Sequence, residues 1–378
     1  HYRNSKDAVG FDFQTLPMHI VNGVGDVLGC VREPLPRRWK ALSMAKDIGP
    51  GETSYNIYDR QVASEAVKWI KGKAKDTKPW TLFVSLVAPH FPLIAPAAFY
   101  ELYENLKLMP SKSKPKPEHA WHEAMRNCQL MDNFTPEKTQ IALTSYYGLV
   151  SFVDELIGKI LTAVKSLELE DSTQIIYTSD HGDNIGERDL WGKSNFFEES
   201  VGIPLIIAGP DVPVGKVCKT PVSLIDIYPT ILETANLSVE SHKPGRSLTK
   251  IANEQNNNGR VIFAEYHAMG SKSGGFMIRK GRWKYVHYVG MRSQLFDLES
   301  DPEEMSDLGE NHEFTDIIQK LEAELRLICN PEIVDKTAKS DQMEIIELNG
   351  GVEAVVKKGG FGATPPPSVN PEYASIKS

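Results

Sequence analysis

The chain has 378 residues, 41% hydrophobic and 24% charged, with a formal net charge of −8 and a pI near 5.8. That length accommodates one large domain, a smaller companion and a sizeable core. The acidic balance argues against a nucleic-acid partner, which calls for a basic surface, and no apolar run approaches the roughly 20 residues of a membrane span.

In chain order, 59–74 (DRQVASEAVKWIKGKA) places Val62, Ala66, Trp69 and Ile70 on one helical face. The segment 80–92 (WTLFVSLVAPHFP) reads as a buried strand, a near-continuous apolar run ended by Pro89. The stretch 109–123 reads as a loop with solvated lysines, and its His119 and His122 as surface or pocket-rim groups that lack the H-E-x-x-H order of a zinc protease. Thr135-Pro136-Glu137 is a helix start, with a capping Thr, Pro at the first position and an acid in the first turn. The helix runs to about Leu167, with Ala142, Tyr146, Leu149, Val153, Ile157, Ile160 and Val164 at helical spacing. Two more buried strands follow at 173–180 and 204–209, then a helix in 222–235 started or kinked near Pro229. Strands alternating with helices imply an α/β fold, a mostly parallel sheet sandwiched by helices.

The texture changes near residue 250. Segments 261–268, 276–288 and 293–299 read as antiparallel strands with a tight turn at Lys280-Gly281, followed by a charged helix over 313–328. The expected organisation is an α/β domain over 1–250, an α+β subdomain over 251–330, and an extended tail over 331–378 that reaches across a neighbouring subunit of a homo-oligomer. Four scattered cysteines (Cys30, Cys128, Cys218, Cys329) form neither a zinc pattern nor a disulfide framework. They favour a reducing, cytoplasmic location over a periplasmic or secreted one.

The chemistry concentrates after the 173–180 strand, in SDHGDNIGERDLWGKSNFFEES. Ligands of parallel sheets bind beyond the carboxyl ends of strands, where Asp180 and His181 sit, with Gly182 allowing a sharp turn. A carboxylate beside an imidazole suits one divalent cation. Lys193 follows two glycines, and a fixed ammonium there pairs with an anionic substrate. A second strand end holds His90 between Pro89 and Pro92. Taken singly, Asp180-His181 reads as a polar turn, Lys193 as a surface lysine and His90 as a loop histidine; two strand ends converging on one crevice favour a site. Glu198 and Glu199 read as helix-starting acids, and Trp191, Tyr266 and His267 as groups lining the pocket.

In these segments together, the chain resembles the sulfatase family of the alkaline phosphatase superfamily. TSDHGDNIGERDLWGKSNFFEESVGIPLIIAGP resembles the family signature, KPWTLFVSLVAPHFP its strand-then-histidine segment, YYGLVSFVDELIGKIL its long helix, PVSLIDIYPTIL the segment after the core sheet, and QLFDLESDPEE its C-terminal hairpin. The ordered blocks cover nearly the whole chain and are most similar to choline-sulfatase-like and phosphonate-monoester-hydrolase-like bacterial members. The resemblance implies that Asp180 and His181 bind a divalent metal, calcium ahead of manganese. It implies that Lys193 binds the sulfate and steadies the leaving oxygen, and that His90 contacts the sulfate or protonates the leaving group. His1 matches the histidine of a Gly-Lys-x-His motif near the nucleophile. The implied substrate is a small sulfate ester, with phosphonate or phosphate esters as the neighbouring alternative.

The family's nucleophile is a formylglycine made from Cys or Ser in Cys/Ser-x-Pro-x-Arg, and no cysteine or serine here stands in that context. Its paired Asp ligands and motif Lys are also absent. The sequence therefore resembles a member lacking its first stretch, on the order of one hundred residues. Two side chains alone hold a divalent ion poorly, so these 378 residues by themselves are expected to be inactive. The reading from another class is an inactive relative that binds anions or serves as a scaffold; the retention of Asp180, His181, Lys193 and His90 counts against it.

Overall fold

A reciprocal cap starts the first long helix, α1 (Ser54–Lys73): the Thr53 hydroxyl accepts the Asn56 N–H, and the Asn56 carboxamide oxygen accepts the Thr53 N–H. In this computed structural model, which describes residues 2–4, 7–76 and 78–375, α1 buries Asp59, Ala63, Ala66 and Ile70 along one stripe. Val62 and Trp69, expected at its centre, sit half-buried at its edges. Strand β1 (Ile48–Pro50) precedes α1 and pairs in parallel with β2 (Leu93–Ala95).

The expectation of a buried strand over 80–92 needs correction. Residues 80–87 form no regular element and join no ladder among the described residues, Ala88 already lies in a turn, and pairing begins at Leu93, beyond Pro92. Phe83 is 70% exposed. A near-continuous apolar run favours a buried strand, but a strand also needs a neighbour along its edge.

Next come α2 (Ala97–Tyr100), α3 (Ala120–Cys128) and α4 (Pro136–Ser166). The start of α4 is as expected, with the Thr135 hydroxyl accepting the Lys138 N–H at 3.4 Å and Pro136 in the first turn. It buries Ala142, Leu149, Val153 and Leu156 against α1, β1 and β2. Gly148 sets how closely α4 lies: a Cβ there would meet the Ala95 Cβ at 3.0 Å and the Phe99 carbonyl at 3.1 Å.

α3 replaces the last part of the expected loop. His119 caps it, its Nδ1 accepting the Trp121 N–H at 3.2 Å while Nε2–H donates to the Arg292 carbonyl at 3.0 Å. His119 and His122 are therefore buried, not surface or rim groups. Lys112 is likewise not solvated; it ion-pairs with Glu199 and Glu303.

β3 (Ile175–Thr178) and β4 (Leu205–Ala208) pair antiparallel, Ile175 opposite Ala208. The α/β character matches expectation, but this pair does not run parallel. The chain folds back on itself between them, joined across by the Gly182 N–H to the Ser200 carbonyl at 2.8 Å. That excursion carries α5 (Glu198–Val201) and the candidate site; α6 (Ile227–Thr234) and α7 (Leu248–Asn253) follow it.

β5 (Val261–Tyr266), β6 (Gly275–Lys280), β7 (Trp283–Tyr288) and β8 (Gln294–Asp297) form an antiparallel sheet in sequence order. Helix α8 (Thr315–Ile328) covers it, with Phe276, Ile278, Tyr285, Leu295, Leu321 and Leu325 between. Lys280 pairs with Trp283, so the two-residue turn is Gly281-Arg282, one position later than expected, with Gly281 at φ 58°.

The tail expectation is corrected over 331–358, which forms α9 (Pro331–Leu348) and α10 (Gly351–Lys358). The start signal was present: the Asn330 side chain accepts the Ile333 N–H at 3.1 Å, with Pro331 at the first position. Ile346 and Val355 pack on Leu28 and Val31. Residues 359–375 form no helix and lie on the chain's own body: Gly360 bridges Ala374, the Tyr55 hydroxyl donates to the Thr364 carbonyl, and Lys40 pairs with Glu372 at 2.9 Å. No helix among the described residues is long and apolar enough to cross a membrane.

Candidate functional site

His90 is placed from below by α1. Asp59, fully buried, accepts the Val87 and Ala88 N–H groups at 2.8 Å each, and the His90 N–H closes the turn onto the Val87 carbonyl at 3.0 Å. Burial raises the Asp59 carboxyl to about 6 despite those two donors. The His90 ring stacks on Phe91 at 4.4 Å and takes the edge of Tyr55 at 6.5 Å.

Lys193 reaches the same point from the β3–β4 excursion. Its Nζ donates to His90 Nε2 at 2.5 Å, while His90 Nδ1–H donates to the Phe91 carbonyl at 2.8 Å. Burial, then the Lys193 charge, push His90 down to about 3, so the ring is neutral. Burial lowers Lys193 as well, against the opposing pull of Asp183 and Asp180.

The loop before Lys193 is clamped from inside. Asp183 Oδ1 accepts the Ile185 and Gly192 N–H groups, each at 2.9 Å, and the Asn184 N–H donates to the Gly192 carbonyl at 2.7 Å. Gly182 is required by close approach: a Cβ there would lie 2.0 Å from the Glu199 carbonyl oxygen.

Asp180 and His181 stand beside this pair, the His90 and His181 ring centroids 5.9 Å apart. His181 Nδ1–H donates to the Gly182 carbonyl at 2.8 Å, which leaves Nε2 an acceptor. It faces Asp180 Oδ2 at 3.7 Å. Two acceptors turned toward each other fit two positions in the shell of a cation. Among the described residues no group of three or more His, Cys, Asp or Glu gathers as a metal site. The structure thus brings four of the predicted residues together: His90, Asp180, His181 and Lys193. His1 lies outside the described residues.

Glu198 and Glu199 do start α5, but they also hold buried cations. Glu199 takes Lys112 and Arg188, the latter at 2.9 Å and 1% exposed. Lys284, with no exposure, sits 2.5 Å from Glu198 and 2.7 Å from Glu304, and donates to the Phe196 carbonyl at 2.9 Å. The Lys284–Glu198 pair fastens the Lys193 excursion to the C-terminal sheet. Of the residues expected to line the pocket, Trp191 flanks Lys193 and stacks on Phe134 at 3.7 Å. Tyr266 instead packs in the core against Trp121, and His267 pairs with Glu265 at 3.1 Å.

Asp183 and Asp59 were missed as site residues. The repeated Asp in D-H-G-D was a visible signal for the first. The second lies on the stripe 59, 63, 66, 70 of α1, and a carboxylate on an apolar stripe marks a buried acceptor.

A family model described as Sulfatase matches residues 28–237, and one described as N-sulphoglucosamine sulphohydrolase, C-terminal, matches 186–330. A choline-sulfatase of Rhizobium meliloti (strain 1021) is 38% identical over 272 residues, 68% of this chain and 53% of its own length. Arylsulfatase K of Mus musculus is 29% identical over 301 residues, 72% of this chain and 53% of its own. The chain thus spans about half the length of the curated relatives it matches. Among solved structures, the phosphonate monoester hydrolase of Silicibacter pomeroyi superposes with a TM-score of 0.64 at 23% identity, covering 71% of this chain and 60% of that one. The enzyme of the same name from Agrobacterium radiobacter gives 0.61 at 23%, covering 81% and 64%. These structural likenesses establish a shared fold.

Proposed function

The chain belongs to the sulfatase family, and from that premise we propose that it carries much of the active site of a sulfuric ester hydrolase. The observation that supports this most is the buried contact of Lys193 Nζ with His90 Nε2 at 2.5 Å, beside the Asp180–His181 pair. An ammonium and a neutral ring nitrogen, both desolvated, stand together where the singly charged sulfate group of an ester would bind.

In this reading Asp180 and His181 hold two positions of a divalent ion, calcium ahead of manganese. Such an ion, when bound, would offset charge on the sulfate oxygens. The nucleophile, a formylglycine by family resemblance, is assigned to sequence outside these 378 residues, because none of their cysteines or serines has the required context. Lys193 turns from His90 to the sulfate, where an ammonium with few competing waters binds an oxyanion strongly. His90, held at about 3 by burial and by Lys193, is a contact to the sulfate and not the resting acid. The proton for the departing alcohol is held at Lys193 Nζ, whose release burial eases.

The test is 4-nitrophenol release from 4-nitrophenyl sulfate by the full-length protein, before and after chelation. Turnover that stops on chelation and returns with calcium or manganese is expected. Absence of turnover on the sulfate, with turnover of a phenyl phosphonate monoester, would replace this reading with that of a phosphonate hydrolase.

A further inference from the structure

Beside Lys193 lies a cleft of about 50 Å³, where one water takes up roughly 10–15 Å³. Its wall carries three cationic side chains, Arg38, Lys40 and Lys193, and no carboxylate. Phe91 and Trp191 close the apolar side, and Gly362 from the folded-back tail contributes to the rim.

Arg38 is the informative member. Its side chain is only 5% exposed. One terminal nitrogen, Nη2, is held by Asp26, while Nη1 has no hydrogen-bond partner among the described residues. The backbone is held too, the Arg38 N–H donating to the Cys128 carbonyl at 2.9 Å. A buried guanidinium with one arm anchored and one arm unspent is costly unless something accepts from it. Gln129, also buried and on the wall, makes no side-chain hydrogen bond among the described residues. Among the described residues the Lys40 ammonium is tied only to Glu372, itself 85% exposed, a pairing that a ligand displaces easily.

Resting on the hydrolase reading above, we infer that this cleft is an oxyanion subsite: Arg38, Lys40 and Gln129 receive a carboxylate or a second sulfate on the alcohol part of the ester, while Lys193 takes the sulfate that is cleaved. A quaternary ammonium alcohol such as choline would meet three cationic side chains on that wall and no carboxylate among its lining residues.

The experiment compares kcat/KM of the full-length protein on 4-carboxyphenyl sulfate, hydroquinone bis-sulfate, phenyl sulfate and choline sulfate. The expected result is at least about tenfold preference for one or both doubly anionic esters over phenyl sulfate, as one to two charged hydrogen bonds supply. Preference for the carboxylate alone, or for the bis-sulfate alone, identifies which oxyanion the subsite takes. Lys40→Ala, at an accessible position, is expected to cut that preference about fivefold. Arg38→Lys, which keeps a cation for Asp26 but removes the free arm, is expected to abolish most of it. Equal rates on phenyl and doubly anionic esters, a preference for choline sulfate, or a preference unmoved in Lys40→Ala would overturn the subsite while leaving the hydrolase reading standing. No turnover of any sulfate ester would overturn both.

Discussion

Replacing Asp59 with Asn isolates the link between α1 and the His90 turn. Both carboxylate oxygens of Asp59 are engaged, one with the Val87 N–H and one with the Ala88 N–H. Asn offers one acceptor and puts an amide NH2 where the second stood, so one buried donor loses its partner at a cost of about 1–3 kcal/mol. Against this, the variant removes a buried charge. The Asp59 carboxyl rises from 3.8 to about 6 on folding, a difference of roughly 3 kcal/mol. Because the folded state holds the proton more tightly than the unfolded chain, this contribution to stability is fully present below 3.8 and is lost as pH rises through 6. Wild type should therefore gain on Asp59→Asn by about 2 kcal/mol between pH 7.5 and pH 4.5. Urea unfolding of both proteins at the two pH values measures the difference, with other titrating groups cancelling between them. A gap that stays constant with pH would refute the assignment of a desolvated, ionisable Asp59. A second readout is kcat of the full-length protein, which should fall as the His90 turn loosens, with KM changing less.

Three further outcomes follow from the same geometry. Lys193→Met should lower the sulfatase rate of the full-length protein by about 10²-fold or more while its thermal unfolding stays near wild type; a rate within a few-fold of wild type would remove Lys193 from the site. Gly182→Ala forces a Cβ to within 2.0 Å of the Glu199 carbonyl, and should destabilise by about 1–3 kcal/mol in denaturant melts; an unchanged midpoint would mean the excursion is looser than described. Lys284→Met leaves the buried Glu304 without its cation and beside the half-buried Glu198, at about 3–5 kcal/mol. The double variant Lys284→Met with Glu304→Gln should recover part of that stability, and failure to recover any would show that the buried charges are not coupled.

Much of this protein was legible residue by residue. Thr135-Pro136 starts α4 because a hydroxyl cap and a fixed φ act within one turn, and the apolar segments of 261–299, separated by a short turn with Gly281, yield the antiparallel sheet because a tight turn is local. His90, Asp180, His181 and Lys193 were legible only as a set, each bland by itself and given a role by the resemblance of the segments around it. Tertiary structure alone decided the rest. Residues 80–88 carry the same apolar signal as a paired strand, yet a ladder requires an edge that no local pattern encodes. The antiparallel pairing of β3 with β4 follows from the fold-back at Gly182 and Ser200, not from either strand. The tail's composition suggested an arm reaching outward, whereas Ile346 and Val355 found an apolar surface at Leu28 and Val31 of the same chain. Most telling are Lys284, Arg188 and Asp59, charged residues that composition assigns to solvent. Their burial is decided by partners far away in sequence, because desolvating a charge becomes tolerable only when folding delivers its counter-charge or its hydrogen bonds to the same point.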